Sequence, residues 1–357
     1  MDVIALLPVP EAIPAPRHVF EALDIAGFVV HLIFINIVVG GVFIALASRL
    51  RDRGFTTGGG AHGPAINSIP TALALGINFG VAPLLFTQLL YGHLLYTSSV
   101  LMAVFWILVI PLLLIGYYCA YIYTHNDATS PRLSFIALCT LAIILLYIPF
   151  IFVNNMTLML HPEKWTGYFS NRGGTMLNLS DSTIIPRYLH FLAASVAVAG
   201  LFSALIWRRR AANGAPSASH NIAGGLRIYA AGTVVQMCAG AWLLLSLPRD
   251  IMIQFLGANA AYTAILALGI IAAFASLVTA LRARPAPTAG LLCGVIVLMA
   301  VSRANLRTAY LAPFFSTGNL AVTPQYGAAI LFFAVFAAGI TAITYMLKMT
   351  SPKTGRA

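Results

Sequence analysis

The chain has 357 residues, 60% of them hydrophobic and 8% charged, with a formal net charge of +11. This composition excludes an ordinary water-soluble domain and places the chain among polytopic membrane proteins. The basic balance invites a nucleic-acid reading, but the cations gather at the ends of apolar stretches, where they report topology, so no nucleic-acid partner is expected.

The first residues, MDVIALLPVPEAIPAPRHVFEALD, carry four prolines and two glutamates before Asp24. That is a poor core for a cleaved signal peptide, so the first span is expected to insert uncleaved. Nine apolar stretches follow, at about 22–48, 70–92, 99–123, 133–156, 186–207, 226–247, 259–281, 288–309 and 325–347. Each is long enough to cross about 30 Å of hydrocarbon as a helix. Their continuous apolarity argues against a β-barrel, whose strands alternate and run to about ten residues. The expected fold is an all-α integral membrane bundle of nine helices, forming a single domain over 1–357 in a lipid bilayer.

Arg49, Arg51, Arg53, Arg132, Arg208, Arg209, Arg210, Arg227, Arg282, Arg284, Lys348, Lys353 and Arg356 fall on one side, thirteen of the twenty basic residues. The positive-inside rule then puts the N-terminus outside and the C-terminus in the cytoplasm. The longest loop, 157–185, lies outside, and 208–225 reads as a flexible cytoplasmic linker. Cys119, Cys139, Cys238 and Cys293 all lie inside spans, with no CxxC and no CxxCH, so they read as packing residues and covalent haem c attachment is excluded.

Within this frame the ionisable residues are sparse. His31 lies in the first span, one turn after Gly27, and His93 ends the second. His161 opens the outer loop and His190 lies in the fifth span. An ionisable side chain at membrane depth is costly and marks a functional candidate, and imidazole is the commonest side-chain ligand for a buried haem iron or other metal. Ala193, Ala194 and Ala197 share a helical face with His190, a strip on which a flat ligand could lie. Met237 and Trp242 lie in the sixth span, and Arg303 and Arg307 share a face at the outer end of the eighth. Those arginines are candidates to pair with haem propionates. The plainer readings stand beside these. A span histidine can hydrogen-bond to a neighbouring helix, alanine strips mediate helix packing, arginines snorkel to headgroups, and methionine fills cores. His18, His62, His125 and His220 read as loop residues. All nine acids, Asp2, Glu11, Glu21, Asp24, Asp52, Asp127, Glu163, Asp181 and Asp250, fall in loops or at span ends, so no carboxylate path across the membrane is expected. Pro83, Pro111 and Pro149 interrupt spans 2, 3 and 4, which reads either as transporter-like hinges or as prolines of the kind membrane helices tolerate.

Four segments in order resemble subunit I of the cytochrome bd quinol oxidases: FVVHLIFINIVVGG (28–41), INFGVA (77–82), VNNMTLMLHP (153–162) and RYLHFLAASVAVAG (187–200). The similarity covers about residues 22–247. It implies that His31 is the axial ligand of a high-spin haem and His190 a ligand of a low-spin haem b, with these two as the iron-binding residues. The departures are in SSVLMAVFWI (98–107), where the family carries two glutamates, and in MAVSRANLR (299–307), which lacks a glutamate ligand but keeps arginines. The seventh span has no methionine, leaving Met237 as the candidate second ligand for His190. The long quinol loop shrinks to Pro248–Ala258. The resemblance therefore implies a divergent relative in the bacterial inner membrane. It would be a haem b protein passing electrons within a respiratory complex, with further subunits and a periplasmic c-type cytochrome as partner. The alternatives are a true terminal oxidase reducing dioxygen and a haem-free anchor or assembly subunit.

Overall fold

The computed structural model describes residues 7–51, 67–126 and 129–350. Asp2, Asp52, Arg53, His62, Asp127, Lys353 and Arg356, used above for charge and acid placement, lie outside the described residues. Among the described residues nine helices are long and apolar enough to cross a membrane. They are α1 (Arg17–Arg51), α2 (Ile69–Leu101), α3 (Ala103–Asn126), α4 (Pro131–Met159), α5 (Ile184–Ala211), α6 (Ala218–Leu245), α7 (Ala260–Leu281), α8 (Pro285–Leu311) and α9 (Tyr326–Thr350).

Local chemistry sets several of these ends. Proline occupies the first turn of α2, α4 and α8, where its missing N–H costs no hydrogen bond. Asn259 caps α7, its side chain accepting from the Ala261 and Tyr262 N–H groups. α1 packs along α2 and α5, α5 along α6, α3 along α4, and α7 along α8. The α5–α6 approach depends on glycine. A Cβ at Gly200 would lie 2.8 Å from the Gly225 carbonyl oxygen, and one at Gly225 would lie 2.6 Å from the Gly200 oxygen. Small residues let two membrane helices meet backbone to backbone, as expected where lipid supplies no hydrophobic drive between helices.

Four boundaries differ from the sequence expectation. The second span does not stop at His93: α2 runs on to Leu101 and α3 starts two residues later, at Ala103. Its polar end is absorbed internally. The Thr97 hydroxyl donates to the His93 carbonyl at 2.8 Å, and Ser98 to Asn155 Oδ1 of α4 at 2.8 Å. Asn155 in turn donates to Ser99 Oγ at 2.9 Å. Polar side chains satisfied in this way do not end a helix, although Tyr91 departs from helical geometry (φ −132°, ψ 24°) and kinks it. The 208–225 linker is also mostly helical, because α5 reaches Ala211 and α6 opens at Ala218, leaving 212–217 as the connection and placing His220 in α6. The 157–185 loop contains a 3-10 helix, Pro162–Phe169. Residues Pro248–Ala258 form a short helix, Arg249–Ile253, and a π-turn, Gln254–Ala258, with Gly257 at φ 133°.

α9 stands apart. Every side chain described in it is exposed. The segment leading into it is tied to the N-terminal residues, Ile13 N–H donating to the Ala321 carbonyl at 2.8 Å and Thr323 N–H to the Ile13 carbonyl at 2.9 Å.

Candidate functional site

α1 and α2 meet in a ladder with a rung about every turn. Asp24 faces Thr87, whose hydroxyl donates to Asp24 Oδ1 at 3.1 Å. Gly27 faces Pro83, and His31 faces Gly76 and Gly80. His31 Nδ1 lies 2.8 Å from the Gly76 carbonyl oxygen. A carbonyl only accepts, so Nδ1 carries the proton and the Nε2 lone pair is left for another partner. Gly80, one turn on, makes room: a Cβ there would lie 2.7 Å from His31 Nδ1 and Cε1.

The same device recurs between α5 and α6. His190 Nδ1 lies 3.0 Å from the Gln236 carbonyl oxygen, and a Cβ at Gly240 would lie 3.1 Å from His190 Nδ1 and Cε1. In both pairs the acceptor is the residue four before the glycine. One difference is chemical: the Gln236 side-chain amide lies 3.4 Å from His190 Nε2 and occupies the lone pair that a metal would need. Each imidazole is thus oriented by a backbone carbonyl, the arrangement that fixes the tautomer of a ligating histidine. Among the described residues no group of three or more His, Cys, Asp or Glu side chains could hold a metal ion. A single imidazole oriented in this way is a donor that haem iron can use.

Above the histidines lie three arginines. Arg307 on α8 is 6% exposed. Its Nη2 donates to Asp24 Oδ2 at 2.7 Å, and its guanidinium sits 4.3 Å from the centre of the Tyr91 ring. Arg303, one turn before, places its guanidinium 4.3 Å from the Phe28 ring centre and interacts electrostatically with His31. Arg187, three residues before His190, shares the electrostatic field of Arg303. Neither α8 arginine snorkels; both turn into the bundle.

The structure therefore sorts the sequence candidates. His31 packs into α2 beside Arg303, His190 packs into α6 beside Arg187, and Arg187, Arg303 and Arg307 line one small cavity. His93 is elsewhere, its ring edge-on to Phe315 at 4.5 Å. Met237 follows Gln236 and so lies about 100° around α6 from the face that meets His190. The alanine strip divides: Ala193 lines an apolar groove of about 570 Å³ with Phe43, Leu189, Val196, Val235 and Trp242, whereas Ala197 packs against Gly232 of α6.

Sequence reasoning missed Asp24, Arg187 and Gln236. Asp24 is not at a solvated span end: it lies inside α1, 3% exposed. A signal existed, since Asp24 precedes His31 by seven residues and so shares its helical face, as Arg187 precedes His190 by three. His161, at the start of the 157–185 loop, has its Nε2 2.7 Å from Asp181 Oδ2 and its Nδ1 2.9 Å from Glu163 Oε1. Burial alone would raise the Asp181 carboxyl, but bonds from His161 and from the Thr183 hydroxyl and N–H outweigh it and hold the carboxyl well below the usual range. A depressed carboxyl contributes stability above the unfolded value near about 4, and that contribution is lost as the pH falls below it. Melting temperature should therefore fall more steeply below pH of about 4 in the wild type than in Asp181→Asn, and equal acid limbs would refute the assignment.

No family model, curated protein or solved structure matches the chain.

Proposed function

We propose that the chain is a membrane-embedded haem b protein of a respiratory electron-transfer complex, with His31 and His190 as iron ligands. The observation that carries this reading is the repeated arrangement of imidazole, facing carbonyl and glycine, which leaves His31 Nε2 free and needs only rotation of the Gln236 amide to free His190 Nε2. When bound, the haem supplies a one-electron couple. The chain's own part is to orient each imidazole through its Nδ1–H and to exclude water with the apolar helices around it. Arg303 and Arg307 supply positive charge beside these positions, as propionate groups would require. The distribution of cations supports an N-terminus outside and a C-terminus in the cytoplasm, and the proposal places the chain in a bacterial inner membrane with a periplasmic c-type cytochrome as electron partner.

A second reading, a terminal oxidase of the bd type, gains from Asp24, a carboxylate inside the bundle near His31. Its ion pair with Arg307 makes it a poor proton relay, because giving up the charge would leave that guanidinium unpaired. Purified protein should show a reduced α-band, with pigment extractable by acidic acetone. His190→Ala should remove a low-spin component and His31→Ala a different one. Colourless protein from haem-replete cells would favour a haem-free anchor or assembly subunit. Haem-dependent oxygen uptake of tens per second, abolished in His31→Ala, would favour the oxidase.

A further inference from the structure

Between α4, α5 and α8 lies a small, partly enclosed cavity of about 20 Å³, lined by Met156, Met159, Leu160, Arg187, Arg303, Leu306 and Arg307. About 10–15 Å³ of such volume holds one water-sized guest. The side chains around it offer a one-sided chemistry: guanidinium donors, thioethers and hydrocarbon, with no oxygen acceptor. Nε of Arg187, and Nε and Nη1 of Arg307, are sealed from solvent and have no hydrogen-bond partner. Arg303 lies over the Phe28 ring and feels the Asp24 carboxylate by charge.

Charge points the same way. Asp24 is the one carboxylate bonded to any of the three guanidinium groups, and it satisfies a single Arg307 nitrogen. Asp181 acts on Arg187 by charge but is bonded to His161 and Thr183, and Arg187 Nη2 donates to Thr183 Oγ1 at 3.4 Å. A buried charge without a partner costs several kcal/mol. Water would serve poorly in this cavity, because it must donate two hydrogens as well as accept, and the side chains supply only weak thioether acceptors. A monatomic anion accepts from every direction and donates nothing.

We propose that Arg187, Arg303 and Arg307 form a binding site for a small inorganic anion of halide size, bridging α5 and α8 in the outer part of the bundle. The anion completes the hydrogen bonding of the arginines and couples the helix that carries His190 to the helix that is paired with α1. The site goes beyond the haem reading and does not depend on it.

The test is chloride binding by purified protein in detergent, prepared in gluconate buffer and titrated with chloride. Binding is read as excess ³⁵Cl NMR linewidth and as a rise in melting temperature with chloride concentration. Wild-type protein should show saturable broadening and a concentration-dependent rise, and bromide should compete. Arg187→Gln should lose the broadening. Arg303→Gln, which leaves the Asp24–Arg307 pair in place, serves as the second variant if the first does not fold. Wild-type protein without saturable broadening overturns the proposal, as does a pair of folded variants that bind like wild type. Chloride binding in haem-depleted protein that disappears on haem loading also overturns it, and assigns the cavity to a carboxylate carried by the bound group. A colourless protein that still binds chloride leaves the anion site standing while the haem reading fails.

Discussion

Arg307→Ala is expected to lower unfolding stability by about 3–5 kcal/mol, the usual cost of stripping one partner from a buried ion pair. The substitution leaves Asp24, 3% exposed, with the Thr87 hydroxyl as its remaining bond. It also removes the cation from the Tyr91 face at the α2 kink. The measurement is the denaturation midpoint of purified protein in micelles. Replacing both partners with apolar residues, Asp24→Leu with Arg307→Met, should recover most of the loss, because apolar side chains of similar volume often substitute for a buried pair at little cost. A single substitution costing under about 1 kcal/mol, the range of solvent-exposed pairs, would contradict the burial seen here.

Gly80→Ala should displace His31. The added Cβ would lie 2.7 Å from the imidazole Nδ1 and Cε1, so the ring must turn and its bond to the Gly76 carbonyl is lost. Overpacking of this kind costs about 1–3 kcal/mol. Alanine within a helix otherwise gains about 0.5–1 kcal/mol over glycine, so net destabilisation would isolate the clash. If haem is present, the spectral component lost in His31→Ala should change in Gly80→Ala, while the His190 component persists. Gly240→Ala should act on His190 in the same way but more weakly, since the corresponding approach is 3.1 Å. An unchanged spectrum in Gly80→Ala, with stability raised, would mean that the ring has room the structure does not show.

The nine spans were legible because unbroken apolar runs of this length have few other uses, and the described residues do form nine such helices. Their ends were less legible. Hydropathy reads 93–98 as a break, whereas hydrogen bonds of Thr97 to the His93 carbonyl and of Ser98 to Asn155 keep that stretch helical. His31 and His190 could be singled out from the sequence because a titratable ring in hydrocarbon is costly. Their partners could not, because they are carbonyls and glycines on other helices, 45 and 46 residues away. Asp24 was misjudged for the same reason on a larger scale: the arginine that draws it inside lies 283 residues further on.

The rungs between α1 and α2 also act as a depth stop. Sliding α1 by one turn, about 5.4 Å, would take Asp24 away from Thr87 and Arg307 and take His31 away from the Gly76 carbonyl and from Gly80, which makes room for it. The ion pair therefore fixes how deep the imidazole sits: seven residues further along the helix, about 10 Å below the carboxylate. A change in lipid thickness can tilt the two helices together, but it cannot alter the spacing between that charge and that ring.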